Sequence, residues 1–139
     1  MNVLVDTSVW SLSLRRSRAH LNPVESLAVE ELKELIVADR ARMMGVVRQE
    51  ILSGIRNPEQ FEKLRVFLRS FVDVPTDTSD FEAAAQMSNQ CRGKGITVSI
   101  VDALICATAS LRGWPIFTTD TDFEHLARVL PIKLHAPRA

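Results

Sequence analysis

Short apolar runs alternate along the chain with longer stretches whose apolar residues recur at helical spacing. The run at 2–5 is too short for a helix, so it predicts a buried strand. Weaker runs of the same kind follow at 43–47, 72–74, 116–117 and 132–134. Continuous apolar runs are typical of strands in a parallel sheet that is covered on both faces.

Two helices are marked by their first turns. Asn-Pro pairs at 22–23 and 57–58 place an N-cap side chain before a proline at the first helical position. Apolar stripes with helical spacing then run along 24–36 and 61–71. Both stretches are therefore predicted as helices that bury one face.

Two more helices are predicted in the second half of the chain. The pattern over 81–91 stops at the glycine turn 93–95, and the segment 99–111 is apolar nearly all round. Such a segment predicts a central, buried helix. Because strands and helices alternate, we expect an α/β domain with a mainly parallel sheet.

Length and composition limit the possible domain organisation, partners and location of the protein. The 139 residues favour a single domain over 1–139 that buries its own core. The 17 basic and 17 acidic residues cancel, so a nucleic-acid surface has to come from local segregation of charge. Cys91 and Cys106 lack metal-ligand spacing, which indicates buried free thiols in a reducing compartment. No apolar run is long enough for a membrane span, so we expect a cytoplasmic protein without a membrane partner.

Carboxylates stand where the predicted strands end. Asp6 follows the first strand directly, Glu50 lies early in the helix after the second, and Asp120 follows the strand at 116–117. Asp102 lies in the first turn of the predicted buried helix. Because ligands of open α/β sheets bind outside the carboxyl ends of the strands, these four acids are candidate site residues.

Each acid also has a local explanation, because Asp and Glu commonly cap or flank helix N-termini. Ser99 and Asp102, for example, have the spacing of a capping box. Taken together, however, the acids favour a shared site. Two unit charges about 6 Å apart at an effective dielectric near 20 repel by roughly 3 kcal/mol, a cost that a bound divalent cation relieves.

The type of ligand indicates which cation. All the candidate groups are hard oxygens without a cysteine or histidine among them, which favours Mg²⁺ or Mn²⁺ over zinc. Such ions neutralise phosphate charge and activate water for attack on a phosphodiester bond. The acids therefore predict a metal-dependent nuclease, for which no Ser-His-Asp or Cys-His arrangement is needed.

At these residues the chain resembles the PIN-domain ribonucleases, in particular the VapC toxins of bacterial toxin–antitoxin pairs. The matching segments are LVDTSVW at 4–10, EILSG at 50–54, VDALI at 101–105 and TTDTDF at 118–123. Their order and the chain length match, so the resemblance spans the whole sequence. It implies a three-layer α/β/α sandwich and a Mg²⁺- or Mn²⁺-dependent endoribonuclease. It also implies a homodimer and inhibition by a VapB-like antitoxin.

The resemblance also assigns roles position by position. Asp6, Glu50, Asp102 and Asp120 match the catalytic, metal-binding acids. Asp122 matches an auxiliary acid that reaches metal only through water. Positions that support the site by hydrogen bonding to an acid or a water are matched by Thr7, Ser8 and Thr118.

The surface that would meet partners is less clearly marked. Basic residues that could bind RNA backbone beside the acids are Arg15, Arg16, Arg18 and Arg48, although ordinary solvated surface is the simpler interpretation for each. Trp10 could stack on an unpaired base, but packing against the core or a partner is favoured. The wide stripes at 24–36 and 61–71 could seat a second subunit or an amphipathic antitoxin segment.

Other function classes fit the sequence less well. Aspartyl-phosphate enzymes of the haloacid-dehalogenase type need a second Asp where Ser8 stands, and a D-x-S-x-S adhesion site needs a serine where Trp10 stands. A DNA nuclease of the flap-endonuclease type uses a related acidic pocket on a longer chain. That enzyme and a non-catalytic PIN-like RNA-binding module stay open as alternatives. The sequence leaves the target RNA and the number of metal ions undetermined.

Overall fold

Three short parallel strands lie at the centre of the protein. The structure, a computed structural model, describes residues 1–15 and 20–138, with Arg15 described by its backbone only. The strands are β1 (Val3–Val5), β2 (Ala41–Arg42) and β3 (Ile116–Phe117), in the order β2-β1-β3. Leu4 of β1 aligns with Arg42 on one side and with Ile116 on the other.

Helices surround this sheet, which confirms the predicted α/β architecture with a parallel centre. The helices of the described residues are α1 (Thr7–Arg15), α2 (Pro23–Val37), α3 (Gly45–Ser53), α4 (Pro58–Leu68), α5 (Thr78–Gly93), α6 (Ile100–Arg112) and α7 (Asp122–Ala127). In the part of the chain that the structure describes, none of them is long and apolar enough to cross a membrane.

The predicted caps form at α2 and α4. The side chain of Asn22 accepts a hydrogen bond from the Glu25 N–H at 2.8 Å, and the Glu25 carboxylate accepts one from the Asn22 N–H at 3.1 Å. Asn57 accepts bonds from the N–H groups of Glu59 and Gln60. These bonds satisfy donors that a helix start leaves unpaired, which is why the two Asn-Pro pairs locate the helices well.

The core includes the whole of β1 and most of α6. All three residues of β1 are fully buried, and α6 is buried from Ala103 to Ala109, as its apolar sequence predicts. Trp10 is fully buried and meets Phe71 edge-on, with ring centroids 4.9 Å apart, so the packing interpretation of Trp10 is confirmed. Both cysteines are buried free thiols, and burial raises the pKa of the Cys106 thiol to about 12.

The strand predicted at 43–47 is wrong in its position. The strand is Ala41–Arg42, and α3 already begins at Gly45. Short apolar runs do not distinguish a strand from a buried helix segment. The arginines on either side of Ala41 also interrupt the apolar run by which a buried strand is recognised. The runs at 72–74 and 132–134 contribute single parallel bridges, Met43 with Asp73 and Ile116 with Leu134, rather than full strands.

Candidate active site

Hydrogen bonds tie the carboxyl ends of β1 and β3 together at Asp6. This residue is buried directly after β1, and its Oδ2 accepts bonds from Ser8 Oγ at 2.8 Å and Thr118 Oγ1 at 2.7 Å. Thr118 follows β3, the neighbouring strand. The Asp6 carboxylate is thus held by side-chain hydroxyls from two elements rather than serving only as a helix cap.

The turn after β3 places Asp120 beside this cluster. The Asp120 N–H donates to Thr118 Oγ1 at 3.0 Å, and the Thr119 N–H donates to Ser8 Oγ at 2.9 Å. Asp120 Oδ1 accepts a bond from the Asp122 N–H at 2.9 Å, so one of its oxygens also caps the start of α7. The capping interpretation of Asp120 is therefore partly right.

Glu50 joins the site through α1. Thr7 Oγ1 donates to Glu50 Oε1 at 2.6 Å, across the contact between α1 and α3. Thr7 follows Asp6 in the chain, so this bond holds an acid of α3 next to the end of β1. The family resemblance implies that Thr7, Ser8 and Thr118 bond to an acid or a water, and each of them donates to an acid.

Asp102 carries the clearest electrostatic signature. Ser99 Oγ accepts a bond from the Asp102 N–H at 3.0 Å, so the serine caps α6 and the Asp102 carboxylate is not needed as the cap. Burial and the negative charges of Asp6, Asp120 and Glu50 together raise the pKa of Asp102 to about 6, although a hydrogen bond with Ser99 lowers it. Asp102 therefore lies close enough to the other three acids to be affected by their charges.

The donor chemistry of the site is of the kind that suits a hydrated divalent cation. Within the described residues, none of the ion pairs involves Asp6, Glu50, Asp102 or Asp120. The donors are all carboxylate and hydroxyl oxygens, which suit Mg²⁺ and Mn²⁺. The same described residues contain no group of three or more His, Cys, Asp or Glu side chains placed to hold a metal directly. Mg²⁺ commonly keeps several bound waters, so it requires only one or two direct carboxylate ligands.

Comparison with known proteins decides the family. Residues 3–129 match the profile of the PIN domain. The chain belongs to the PIN-domain family. It is 33% identical over 131 residues to ribonuclease VapC11 of Mycobacterium tuberculosis, covering 91% of this chain and 92% of that one. Ribonuclease VapC6 of the same species is 32% identical over 87 residues, which is 60% of this chain and 68% of that protein.

Solved structures confirm the PIN fold. FitAcB from Neisseria gonorrhoeae matches with a TM-score of 0.76 at 23% identity, covering 97% of both chains. VapBC2 from Rickettsia felis, bound to a DNA fragment from its promoter, matches with a TM-score of 0.73 at 16% identity. That match covers 97% of this PIN domain and 98% of the other chain. At these identities the likeness concerns the fold alone.

Asp122 lies at the edge of the acidic site of this PIN domain. Together with Asp102 it lines a cleft of about 460 Å³ between α7 and the loop before α6. His125 lines the same cleft. His125 was not predicted as a site residue, because it has no ligand spacing with another histidine. The available signal was its position three residues after Asp122, which places both on one face of α7.

The prediction that Arg48 binds RNA is not supported by its contacts. Its guanidinium pairs with Asp73 and donates to the backbone oxygens of Leu68 and Phe71, so it ties α3 to the segment after α4. A side chain with three internal partners is not free to contact phosphate. The predictions for Arg16 and Arg18 lie outside the described residues, as does the side chain of Arg15.

Proposed function

We propose that this VapC-type PIN domain is a Mg²⁺- or Mn²⁺-dependent endoribonuclease and the toxin of a toxin–antitoxin pair. The observation that carries the proposal is Asp102, whose raised pKa comes from burial and from three neighbouring acids. A site that concentrates negative charge in this way is suited to a divalent cation. The proteins named VapC ribonucleases among its relatives support RNA as the substrate.

Asp6, Glu50, Asp102 and Asp120 are the residues that would hold the cation, and Asp122 would act at the edge of the site through water. A divalent cation at such a site neutralises phosphate charge and makes water more acidic. Ser8 and Thr118 fix Oδ2 of Asp6, and Thr7 fixes Oε1 of Glu50, so both carboxylates are oriented before substrate arrives. In the metal-free protein, burial and the charges of the neighbouring acids raise the pKa of Asp102 to about 6, and a bound cation would favour its ionised form.

An antitoxin partner and a homodimer complete the proposal. Several structures that share the fold are complexes named VapBC, among them VapBC-5 from Mycobacterium tuberculosis. Apolar groups on the surface of this chain could receive a partner, with Val24 72% and Phe67 45% exposed in the two predicted stripes. A groove of about 330 Å³ beside Phe67 is lined by Leu14, Leu21 and Ile36. An amphipathic antitoxin segment would cover these side chains. We expect both proteins to meet in the cytoplasm.

The test is cleavage of total bacterial RNA by the purified protein with Mg²⁺ or Mn²⁺. An Asp102→Asn variant and an EDTA control should both abolish cleavage. Asp39→Asn is the matched control, because Asp39 is an exposed acid away from the site. Folded protein that is free of inhibitor and cuts no RNA class would contradict the proposal. Cleavage of DNA instead would favour the flap-endonuclease-like alternative.

A further inference from the structure

The cleft beside Asp102 extends the acidic site in one direction. It measures about 460 Å³, a size typical of small-ligand pockets, and lies between the loop 95–99 and α7. Asp102 and Asp122 line the side of the cleft that adjoins the acidic site. The remaining lining residues are Gly95, Ile96, Thr97, Val98, Ser99, His125 and Leu126.

The chemistry of this lining suits a neutral, flat group better than a phosphate. Among the described residues that line the cleft, none is a lysine or arginine, and two are carboxylates that repel anions. Ile96, Val98 and Leu126 offer apolar surface, while the exposed imidazole of His125 offers a flat ring. Unpaired nucleobases are commonly bound by stacking on aromatic or histidine rings.

The loop also offers unused backbone groups. Ile96 N–H bonds to the Cys91 oxygen and Ser99 caps α6, but the backbone groups of Thr97 and Val98 have no hydrogen bond within the described part of the chain. Backbone N–H and C=O groups require partners from water or from a ligand. Hydrogen bonding to base edges is the usual way in which proteins read single-stranded RNA.

We propose that this cleft holds the base of an unpaired nucleotide adjacent to the phosphate that is cut. His125 stacks on the base, and the backbone of Thr97 and Val98 contacts its edge. The inference rests on the proposed ribonuclease function, since continuity with Asp102 places the base next to the reacting phosphate. It makes this cleft a determinant of sequence preference at one position of the substrate.

The kinetic test compares His125→Ala with His20→Ala, an exposed histidine outside the cleft. His125→Ala should raise KM about tenfold with kcat nearly unchanged, since base stacking contributes to binding. It should also flatten the base preference next to the cut, read by sequencing fragment ends from a random RNA pool. His125→Phe keeps a ring and should restore both properties. Equal KM values and equal preferences in all variants would overturn the proposal.

A binding measurement separates this inference from the proposed activity. Metal-free, ¹⁵N-labelled protein is titrated with AMP, GMP, CMP and UMP in turn, and the amide signals of Thr97, Val98 and His125 are followed. Shifts at these amides without RNA cleavage would support the base site and contradict the ribonuclease. Cleavage without any such shift would support the ribonuclease and overturn the base site. Shifts confined to residues elsewhere would equally overturn it.

Discussion

Asp80 and Asp102 occupy the same position in two neighbouring helices, yet their environments are opposite. Each is the third residue of its helix, Asp80 in α5 and Asp102 in α6. Asp80 is buried and paired with Arg112, whose hydrogen bond is the main cause of its lowered pKa. Asp102 has other acids as neighbours, and burial together with their charges raises its pKa to about 6.

The difference separates an acid that is paired with a cation within the fold from one that is surrounded by other acids. Arg112 ends α6 and also donates to the Pro75 and Thr108 oxygens, so the Asp80 pair fastens the end of α6 to the start of α5. A buried acid with a cation of its own has no need of a metal. Asp102 lacks such a partner among the described residues, so its charge is left for a ligand to neutralise.

The largest expected effect is on activity. Asp102→Asn should lower kcat/KM for RNA about 1,000-fold, or about 4 kcal/mol, because it removes a charge that holds the cation. Asp80→Asn should leave kcat/KM per folded molecule within about threefold, since Asp80 acts on the fold. Both variants are assayed well below their melting temperatures. A large loss of kcat/KM in Asp80→Asn would break the comparison.

The next largest effect is on stability. Arg112→Ala should reduce the free energy of unfolding by about 3 kcal/mol, because it leaves Asp80 buried without its cation. Urea denaturation measures the loss. Arg92→Ala is the control, because the exposed Arg92 side chain hydrogen-bonds only to nearby Asn89 among the described residues, and its loss should cost less than about 0.5 kcal/mol. Similar values for the two variants would contradict a structural role for the Asp80 pair.

Loss of the hydroxyl that orients Asp6 should have an intermediate effect on kcat. Thr118→Val removes the bond to Asp6 Oδ2 and should lower kcat about 10-fold to 100-fold, as is usual for groups that orient metal ligands. Thr119→Val is the matched control, because the bond of Thr119 to Ser8 comes from its backbone. Equal kcat values for the two valine variants would show that the hydroxyl has no orienting role.

The smallest effect is on the pH dependence of stability without metal. The pKa of Asp102 is about 6 in the fold against an ordinary 3.8, so the folded state binds more protons between these values and loses stability as pH rises through them. Asp102→Asn should therefore stabilise metal-free protein by about 1 kcal/mol at pH 8, allowing for solvent screening, and by nothing at pH 3. Thermal unfolding at both pH values measures the change. Asp39→Asn should give no such difference.

Local signals in the sequence predicted the helices and the positions of the acids. Asn22 and Asn57 form their caps with residues two or three positions away, so the sequence carries all the information needed. The motif around Asp6 and the turn around Asp120 are also short. Their meeting follows from the parallel sheet, which brings the carboxyl ends of β1 and β3 to one edge.

Partners far apart in the chain could not be predicted in this way. Glu31 lies on the buried face of α2 and bonds to His135, 104 residues away, although its type suggests an exposed position. Arg48 pairs with Asp73 across 25 residues. Such pairs form through tertiary packing. From the local sequence alone, each charged residue of the pair is expected on the exposed surface.

The most direct test of the account is calorimetric titration of the protein with Mn²⁺ at neutral pH. Wild-type protein should bind the ion, and Asp102→Asn should weaken binding at least tenfold, while Asp39→Asn should bind as the wild type does. Binding should also weaken below pH 6, where Asp102 takes up a proton. Unchanged affinity in Asp102→Asn, or no binding by folded wild-type protein, would contradict the claim that these acids form a metal centre.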